Sequence, residues 1–259
     1  MSLIKPKRQF SQNFLIDENV AEAIVAVGNY SRNDTVIEIG PGYGALTNYL
    51  ENLLEKATLV EVDRDAIFFL HKKFSPEFAH VIEGDFLALN LSDLGCNLRL
   101  IGNLPYHISS PILLHVNRDR AKVKDAVFML QKEVVDRLVA SPGTKEFGKL
   151  TVALQLNWSM ERVLDVPPSA FKPAPKVWSS VVYMRRRTKP LQVNVERFER
   201  ILFAAFSKRR KTLRNALREF FSESDFLQCS VDPRSRPETL SVEQYVQLAN
   251  FTKSTPSLD

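Results

Sequence analysis

The chain has little of what builds stapled, metal-centred or membrane-spanning proteins. Its two cysteines, Cys96 and Cys229, lie far apart and in no CxxC or Cys/His spacing. They supply neither a disulfide framework nor a zinc site, and a reducing, cytoplasmic compartment fits. The four histidines, His71, His80, His107 and His115, show no ligand spacing, so no metal is expected. No apolar run reaches the ~20 residues a membrane-spanning helix needs. The segment Met1-Ser2-Leu3-Ile4-Lys5-Pro6-Lys7-Arg8 lacks the apolar centre of a signal peptide. A functional-looking stretch begins by Gln12, which leaves no space for a long transit peptide. Internal repeats and low-complexity tracts are missing too.

What is present is ordinary: 44% hydrophobic and 25% charged residues, the composition of a globular protein. The 259 residues suffice for one large domain, or a large one and a small one. The net charge of +5 is unevenly spread. Residues 185–259 hold fifteen Lys/Arg against nine Asp/Glu, a balance of +6, which leaves 20 against 21, or −1, elsewhere. Such asymmetry favours a polyanion contacted mainly from one end, with a solvated basic helix as the plain alternative.

The pattern along the chain predicts alternating strands and helices. Asp17 caps a predicted helix over 17–28, with Ile16, Val20, Ile24 and Val27 on one face. Thr35-Val36-Ile37-Glu38-Ile39 reads as a buried strand stopped by Gly40-Pro41-Gly42. A helix over 46–54, a strand over 58–62, a helix over 64–74 and a strand over 80–83 follow. Residues 98–102 and 124–130 are the next strands, and 133–140 a helix. Residues 152–156 and 177–184 are read as late strands flanking a proline-rich loop, Val166 to Lys176. Such alternation means βαβ units and a mainly parallel sheet, with ligands beyond the carboxyl ends of the strands. Gly40, Glu61, Asp85 and Asn103 all fall at those ends. Composition changes around Arg185 to Pro190, which sets domains of 1–188 and 189–259. The second is a small all-helical domain, helical over 195–207, 209–221, 223–228 and 241–250, short on core of its own and expected to dock on the first.

Gly40-Pro41-Gly42-Tyr43-Gly44 sits between strand and helix, where glycines admit positive φ and let a ligand approach the backbone. Glu61, about twenty residues on, can accept from a ribose diol, and Asp63 competes for that role. The third glycine of dinucleotide spacing and a phosphate-binding lysine are both lacking, which points to a nucleoside without pyrophosphate. S-adenosyl-L-methionine is the natural candidate. Asp85, in Gly84-Asp85-Phe86, is read first as a turn or cap beside a core Phe, and second as an acceptor for an adenine amine.

Asn103-Leu104-Pro105-Tyr106 carries the sharpest signal. Methyl transfer to an exocyclic amine needs acceptors that draw a delocalised lone pair toward a tetrahedral nitrogen and stabilise its growing positive charge. The Asn103 side-chain oxygen and the Leu104 carbonyl suit that task. Pro105 holds Leu104 extended, and Tyr106 offers a stacking face worth ~1–3 kcal/mol per base. The alternative is a plain Asn-Pro turn with a half-buried Tyr. Phe171, in Phe171-Lys172-Pro173-Ala174-Pro175-Lys176-Val177, is read evenly as part of a structural loop or as a ring facing a flipped base. Lys208, Arg209, Arg210, Lys211 and Arg214 form a dense basic helix start, backed by Phe206, Leu213 and Leu217, suited to salt-dependent phosphate contact or to solvation. His107 is read as structural, with lining of the base pocket as the alternative.

Taken in order, these segments, with Gln12-Asn13-Phe14-Leu15 before them and Glu61-Val62-Asp63 among them, resemble the ribosomal RNA adenine dimethyltransferases. The likeness is to the bacterial small-subunit (16S) family associated with kasugamycin resistance, and it runs over nearly the whole chain. It implies a Rossmann-like class I S-adenosylmethionine-dependent methyltransferase fold with the helical domain as an RNA-binding appendage. It implies that Asn13, Leu15, Gly40, Glu61, Asp85 and Asn103 contact S-adenosyl-L-methionine, and that Asn103, Leu104, Tyr106 and Phe171 hold the target adenine. The implied product is two adjacent dimethyladenosines near the 3′ end of 16S rRNA. The implied partner is the 30S subunit or its precursor, met by a monomer away from any membrane. Phe10-Ser11 departs mildly from the Leu-Gly of many relatives. The residues alone gave Asn13 and Leu15 no role. A large-subunit (23S) methyltransferase giving macrolide resistance and a non-catalytic RNA-binding assembly factor are the rival readings. A DNA adenine methyltransferase ranks lower, since no target-recognition insert is evident.

Overall fold

The computed structural model describes residues 13–252, so Gln12, Phe10, Ser11 and the amino-terminal segment lie outside the described residues. The chain divides into two compact units. One comprises the residues up to Val135 together with Trp158–Arg186, the other Asp136–Asn157 together with the residues from Arg187. The expected boundary at 188 thus falls beside the second break. The correction is that Asp136–Asn157 belong with the helical unit.

In the first unit a short strand β1 (Phe14–Leu15) leads to α1 (Glu18–Gly28), which Asp17 caps by accepting from the Val20 N–H at 3.2 Å. Strands and helices then alternate: β2 (Val36–Ile39), α2 (Thr47–Leu50), β3 (Ala57–Glu61), α3 (Arg64–Lys73), β4 (Ala79–Glu83), β5 (Leu98–Asn103), α4 (Ser109–Arg118) and β6 (Val123–Gln131). Helices α5 (Lys132–Leu138) and α6 (Lys149–Gln155) follow, then β7 (Trp158–Val166), β8 (Phe171–Lys172) and β9 (Ser179–Arg186). The main sheet has the order β4-β3-β2-β5-β6-β9-β7. Its β4-to-β6 part is parallel, and β9 and β7 close it antiparallel. Strand β8 pairs instead with β1, Leu15 opposite Phe171.

The near-continuous apolar runs of β2, β5 and β6 are those of strands buried on both faces. In α1 the buried residues are Ala21, Ile24, Val25 and Gly28, whereas Ile16 is exposed, so the inward face is rotated from the expected one. The helix expected over 46–54 is regular only over Thr47–Leu50. Residues 152–155 form the end of α6, with Leu156 as its C-cap, rather than a strand. A short apolar run has no period to separate the two, and the Thr151 hydroxyl, accepting from the Gly148 N–H at 3.1 Å, starts a helix there. The late strand next to β9 is instead β7, an edge strand whose Glu161, Arg162 and Asp165 hide its apolar pattern.

The second unit is helical: α5 ends in it, α6 lies in it, and α7 (Val195–Ser207), α8 (Leu213–Ala216), α9 (Glu223–Gln228) and α10 (Val242–Asn250) complete it. Asn194 caps α7, and reciprocal pairs Ser222/Asp225 and Ser241/Gln244 cap α9 and α10. Phe147, Val152 and Leu156 join Phe198, Leu213 and Tyr245 in its apolar centre. The unit therefore has a core of its own, contrary to expectation, because the segment before β7 contributes to it.

Candidate active site

A cavity of about 580 Å³ opens at the carboxyl ends of β2, β3, β4 and β5. That size suits a nucleoside-sized ligand. Its wall includes Asn13, Leu15, Gly40, Glu61, Asp85, Asn103, Leu104 and Tyr106. Eight residues expected from the sequence to serve one reaction, spread over some ninety positions of chain, are thus brought to one place.

The turn after β2 makes room for a ligand. Gly40 has φ +64°, and a Cβ added there would meet no atom within 4 Å, so the backbone faces open space. Gly44, at φ +80°, is closed instead: a Cβ would stand 2.8 Å from the Phe74 ring. One glycine leaves space for a ligand and the other lets the turn lie against α3.

Glu61, at the end of β3, is buried. Its Oε2 accepts from the Gly42 N–H at 2.9 Å, and its Oε1 from the Val62 and Asp63 N–H groups at 2.8 and 2.9 Å. These three bonds fix the carboxylate across the glycine turn and leave acceptor capacity for a hydroxyl. Asp63, its competitor, caps α3 by accepting from Asp65 at 3.0 Å and is not part of the cavity wall. Asp85 combines its two readings: it accepts from the Leu87 N–H at 2.9 Å as a cap, and it lines the cavity exposed, beside buried Phe86. The open turn, the fixed carboxylate and the exposed one fit a nucleoside such as that of S-adenosylmethionine.

At the end of β5, the Asn103 Nδ2 donates to the Asn13 carbonyl at 3.1 Å. That bond sets the amide orientation and leaves Oδ1 as the acceptor for a ligand. Leu104 is held by its N–H, which donates to the Met129 carbonyl at 3.1 Å. The Tyr106 hydroxyl shares a 2.7 Å hydrogen bond with Ser179 Oγ, and burial raises its pKa. The ring is thereby anchored at its far end. His107, exposed, also lines the cavity.

Phe171 is the residue the structure does not bring there. Its side chain is 3% exposed, packed in the core around Leu15, and absent from the cavity wall. Pairing of β8 with β1 sets Phe171 opposite Leu15, beside the segment that carries Asn13.

Sequence reasoning gave no role to Glu38, a fully buried carboxyl in the cavity wall. The Thr47 hydroxyl donates to its Oε2 at 2.6 Å. Burial pushes its pKa up to about 8, against the Thr47 bond and with help from the nearby Glu61 charge. The signal was readable: a carboxylate inside an apolar strand of a parallel sheet, where both faces are covered.

The basic residues lie in the second unit, and not on the expected helix start. Lys208 ends α7, the Lys211 N–H donates to the Lys208 carbonyl at 2.8 Å, and a helix resumes only at Leu213. Consecutive cations disfavour a helical turn, and Thr212 offers a break. Lys208, Arg210, Lys211 and Arg214 are exposed. Arg209 is partly buried, its Nη2 donating to the Lys145 carbonyl at 2.7 Å and its Nε 3.6 Å from Glu238.

The chain is 46% identical to "Ribosomal RNA small subunit methyltransferase A" of Aromatoleum aromaticum, over 97% of this chain and 96% of that protein. It is 45% identical to the protein of that name in Dechloromonas aromatica, over 95% and 97%. Among solved structures it is similar to a dimethyladenosine transferase from Plasmodium falciparum, with a TM-score of 0.80, 24% identity and coverage of 91% and 95%. It is also similar to the 23S rRNA methyltransferase ErmE, with a TM-score of 0.73, 25% identity and coverage of 91% and 98%. These likenesses make the fold the Rossmann-like one of the methyltransferases. Residues 4–254 match the family described as "Ribosomal RNA adenine dimethylase", and with relatives this similar over nearly their whole length the chain belongs to that family.

Proposed function

We infer that the chain is the small-subunit enzyme of its family. It dimethylates the exocyclic amines of two adjacent adenosines near the 3′ end of 16S rRNA with S-adenosyl-L-methionine, as a step of ribosome biogenesis. One observation carries the chemistry: the Asn103 amide, locked by the Asn13 carbonyl, offers its oxygen to the cavity beside Leu104 and Tyr106.

Gly40, Glu61, Asp85, Asn13 and Leu15 would hold the cofactor, with Glu61 accepting from the ribose diol and Asp85 from the adenine amine. When bound, S-adenosylmethionine supplies a methyl group on an electrophilic sulfonium. Asn103 Oδ1 and the Leu104 carbonyl accept from the two hydrogens of the target amine. They favour a tetrahedral nitrogen and stabilise the positive charge that develops there. Tyr106 stacks on the base, its tilt set by Ser179. No strong base is required, since the methylated nitrogen is acidic and loses its proton to water. Lys208, Arg210, Lys211 and Arg214 contact phosphates. The substrate is the 30S subunit or its precursor, met by a monomer in the cytoplasm.

The test is transfer of labelled methyl from S-adenosylmethionine to undermethylated 30S subunits, with 50S subunits and duplex DNA in parallel. Dimethyladenosine in 30S alone is expected. Label in 50S would move the assignment to the large-subunit branch, and binding without transfer to a non-catalytic factor.

A further inference from the structure

The chain has two tryptophans, and the structure treats them oppositely: Trp158 is fully buried, Trp178 is 50% exposed. A lone exposed aromatic needs no explanation by itself. The position of Trp178 does. Strand β9 runs antiparallel to β6, so its first residue, Ser179, lies opposite Gln131, the last residue of β6. Trp178 therefore emerges at the carboxyl edge of the sheet, the edge that carries the cavity. Its carbonyl accepts from the Lys132 N–H at 2.9 Å, which pins it there. The next residue along the chain, Ser179, is the one whose hydroxyl meets Tyr106 at 2.7 Å. Trp178 is outside the cavity wall, yet one ~3.8 Å step along the backbone from the residue that anchors the stacking ring. Val177 beside it is 44% exposed, and Lys172 and Lys176 just before it are exposed cations. An indole, an apolar neighbour and two cations at the rim of a base pocket are the components that bind single-stranded nucleic acid.

We propose that Trp178 is a positioning residue that stacks on the nucleotide next to the adenine held by Tyr106. The inference rests on the dimethyltransferase reading and deepens it. A substrate with two adjacent target adenosines always places a second base just outside the pocket, and Trp178 offers an exposed aromatic face one residue from the anchor of Tyr106. The occupant is thus an unpaired base of the same RNA strand, its phosphates facing Lys172 and Lys176.

Because Trp158 is buried, tryptophan emission from the full chain reports RNA contact at Trp178. A short single-stranded RNA with two adjacent unmethylated adenosines is expected to quench it, and the quenching should vanish in Trp178→Phe. In methyl transfer to 30S subunits, Trp178→Ala should raise KM about 5- to 150-fold, the factor equivalent to ~1–3 kcal/mol of stacking, with kcat little changed. Trp178→Phe should restore most of the loss, which a merely structural role would not predict for an exposed side chain. If wild type transfers methyl while its emission ignores bound RNA and Trp178→Ala keeps KM, the inference is wrong and the dimethyltransferase reading stands. If wild type transfers no methyl to 30S, that reading falls; quenching by the oligonucleotide then still decides whether Trp178 stacks on RNA.

Discussion

The two edges of the parallel sheet use the same residue types to opposite ends. At the amino edge, Arg99 of β5 has a partner for every donor. Its Nε and Nη2 grip Asp125 at 2.8 and 2.7 Å, Nη2 also reaches the Gly28 carbonyl at 2.6 Å, and Nη1 meets Asp34 at 2.7 Å and the Asn29 carbonyl at 3.4 Å. The Tyr30 ring lies 4.6 Å from its Cζ. At the carboxyl edge of the same strand, Asn103 has one half of its amide engaged within the chain and the other turned to a cavity. A polar group whose bonds the chain completes holds the fold. One whose bonds a ligand completes performs chemistry.

The strongest way to break this contrast is at Arg99. Arg99→Leu would leave Asp125, and partly Asp34, buried without their cation, and a loss of ~3–5 kcal/mol of stability is expected. Denaturant unfolding measures it, and an unchanged midpoint would mean the amino edge is not held by this network. Asn103→Ala should do the reverse: kcat lower by ~10²–10³-fold, as for loss of one transition-state hydrogen bond, with stability within ~0.5 kcal/mol and RNA affinity largely kept. Equal loss of affinity and turnover would refute the role given to Asn103.

The contrast also explains what the sequence disclosed. Elements with both faces buried, β2, β5 and β6, advertise themselves as apolar runs, and the glycine turn and Asn-Leu-Pro-Tyr segment stand at their ends. Edge strand β7 did not, because Glu161, Arg162 and Asp165 break its pattern. The end of helix α6 resembles a strand because five apolar-rich residues carry no period. The segment before β7 joins the helical unit through Phe147 and Val152, a long-range choice that local composition does not encode. Glu61 and Asp63 were inseparable by spacing; backbone N–H groups around one and a helix start at the other separate them. Phe171 is buried opposite Leu15 in a two-residue pairing of β8 with β1, invisible in a proline-rich stretch.

The same distinction sharpens the basic segment. Arg209 is tied to Glu238 and Lys145, and Arg214 pairs with Glu223 at 2.5 Å, whereas Arg210 and Lys211 are exposed. Replacing Arg210 and Lys211 with Ala should weaken RNA binding and flatten the slope of log K against log salt by about 1.4, two phosphate contacts at ~0.7 each. Arg209→Ala should also lower stability. An unchanged slope in the double variant would leave these cations solvated rather than bound.

The last test falls on Glu38, a carboxyl buried like Asp125 but given a hydroxyl instead of a guanidinium. Its folded pKa of about 8 lies above the ordinary 4.5, so the native state retains a proton that the unfolded chain releases. Stability then falls as pH rises from about 4.5 to about 8 and is level beyond. Glu38→Gln keeps an acceptor for Thr47 and removes the titration. Its melting temperature, relative to wild type, should climb across that window and hold constant above it. A difference independent of pH would show that Glu38 is ionised in the native protein. The carboxyl edge would then tolerate a buried charge with no cation beside it, and the contrast with Arg99 would rest on Asn103 alone.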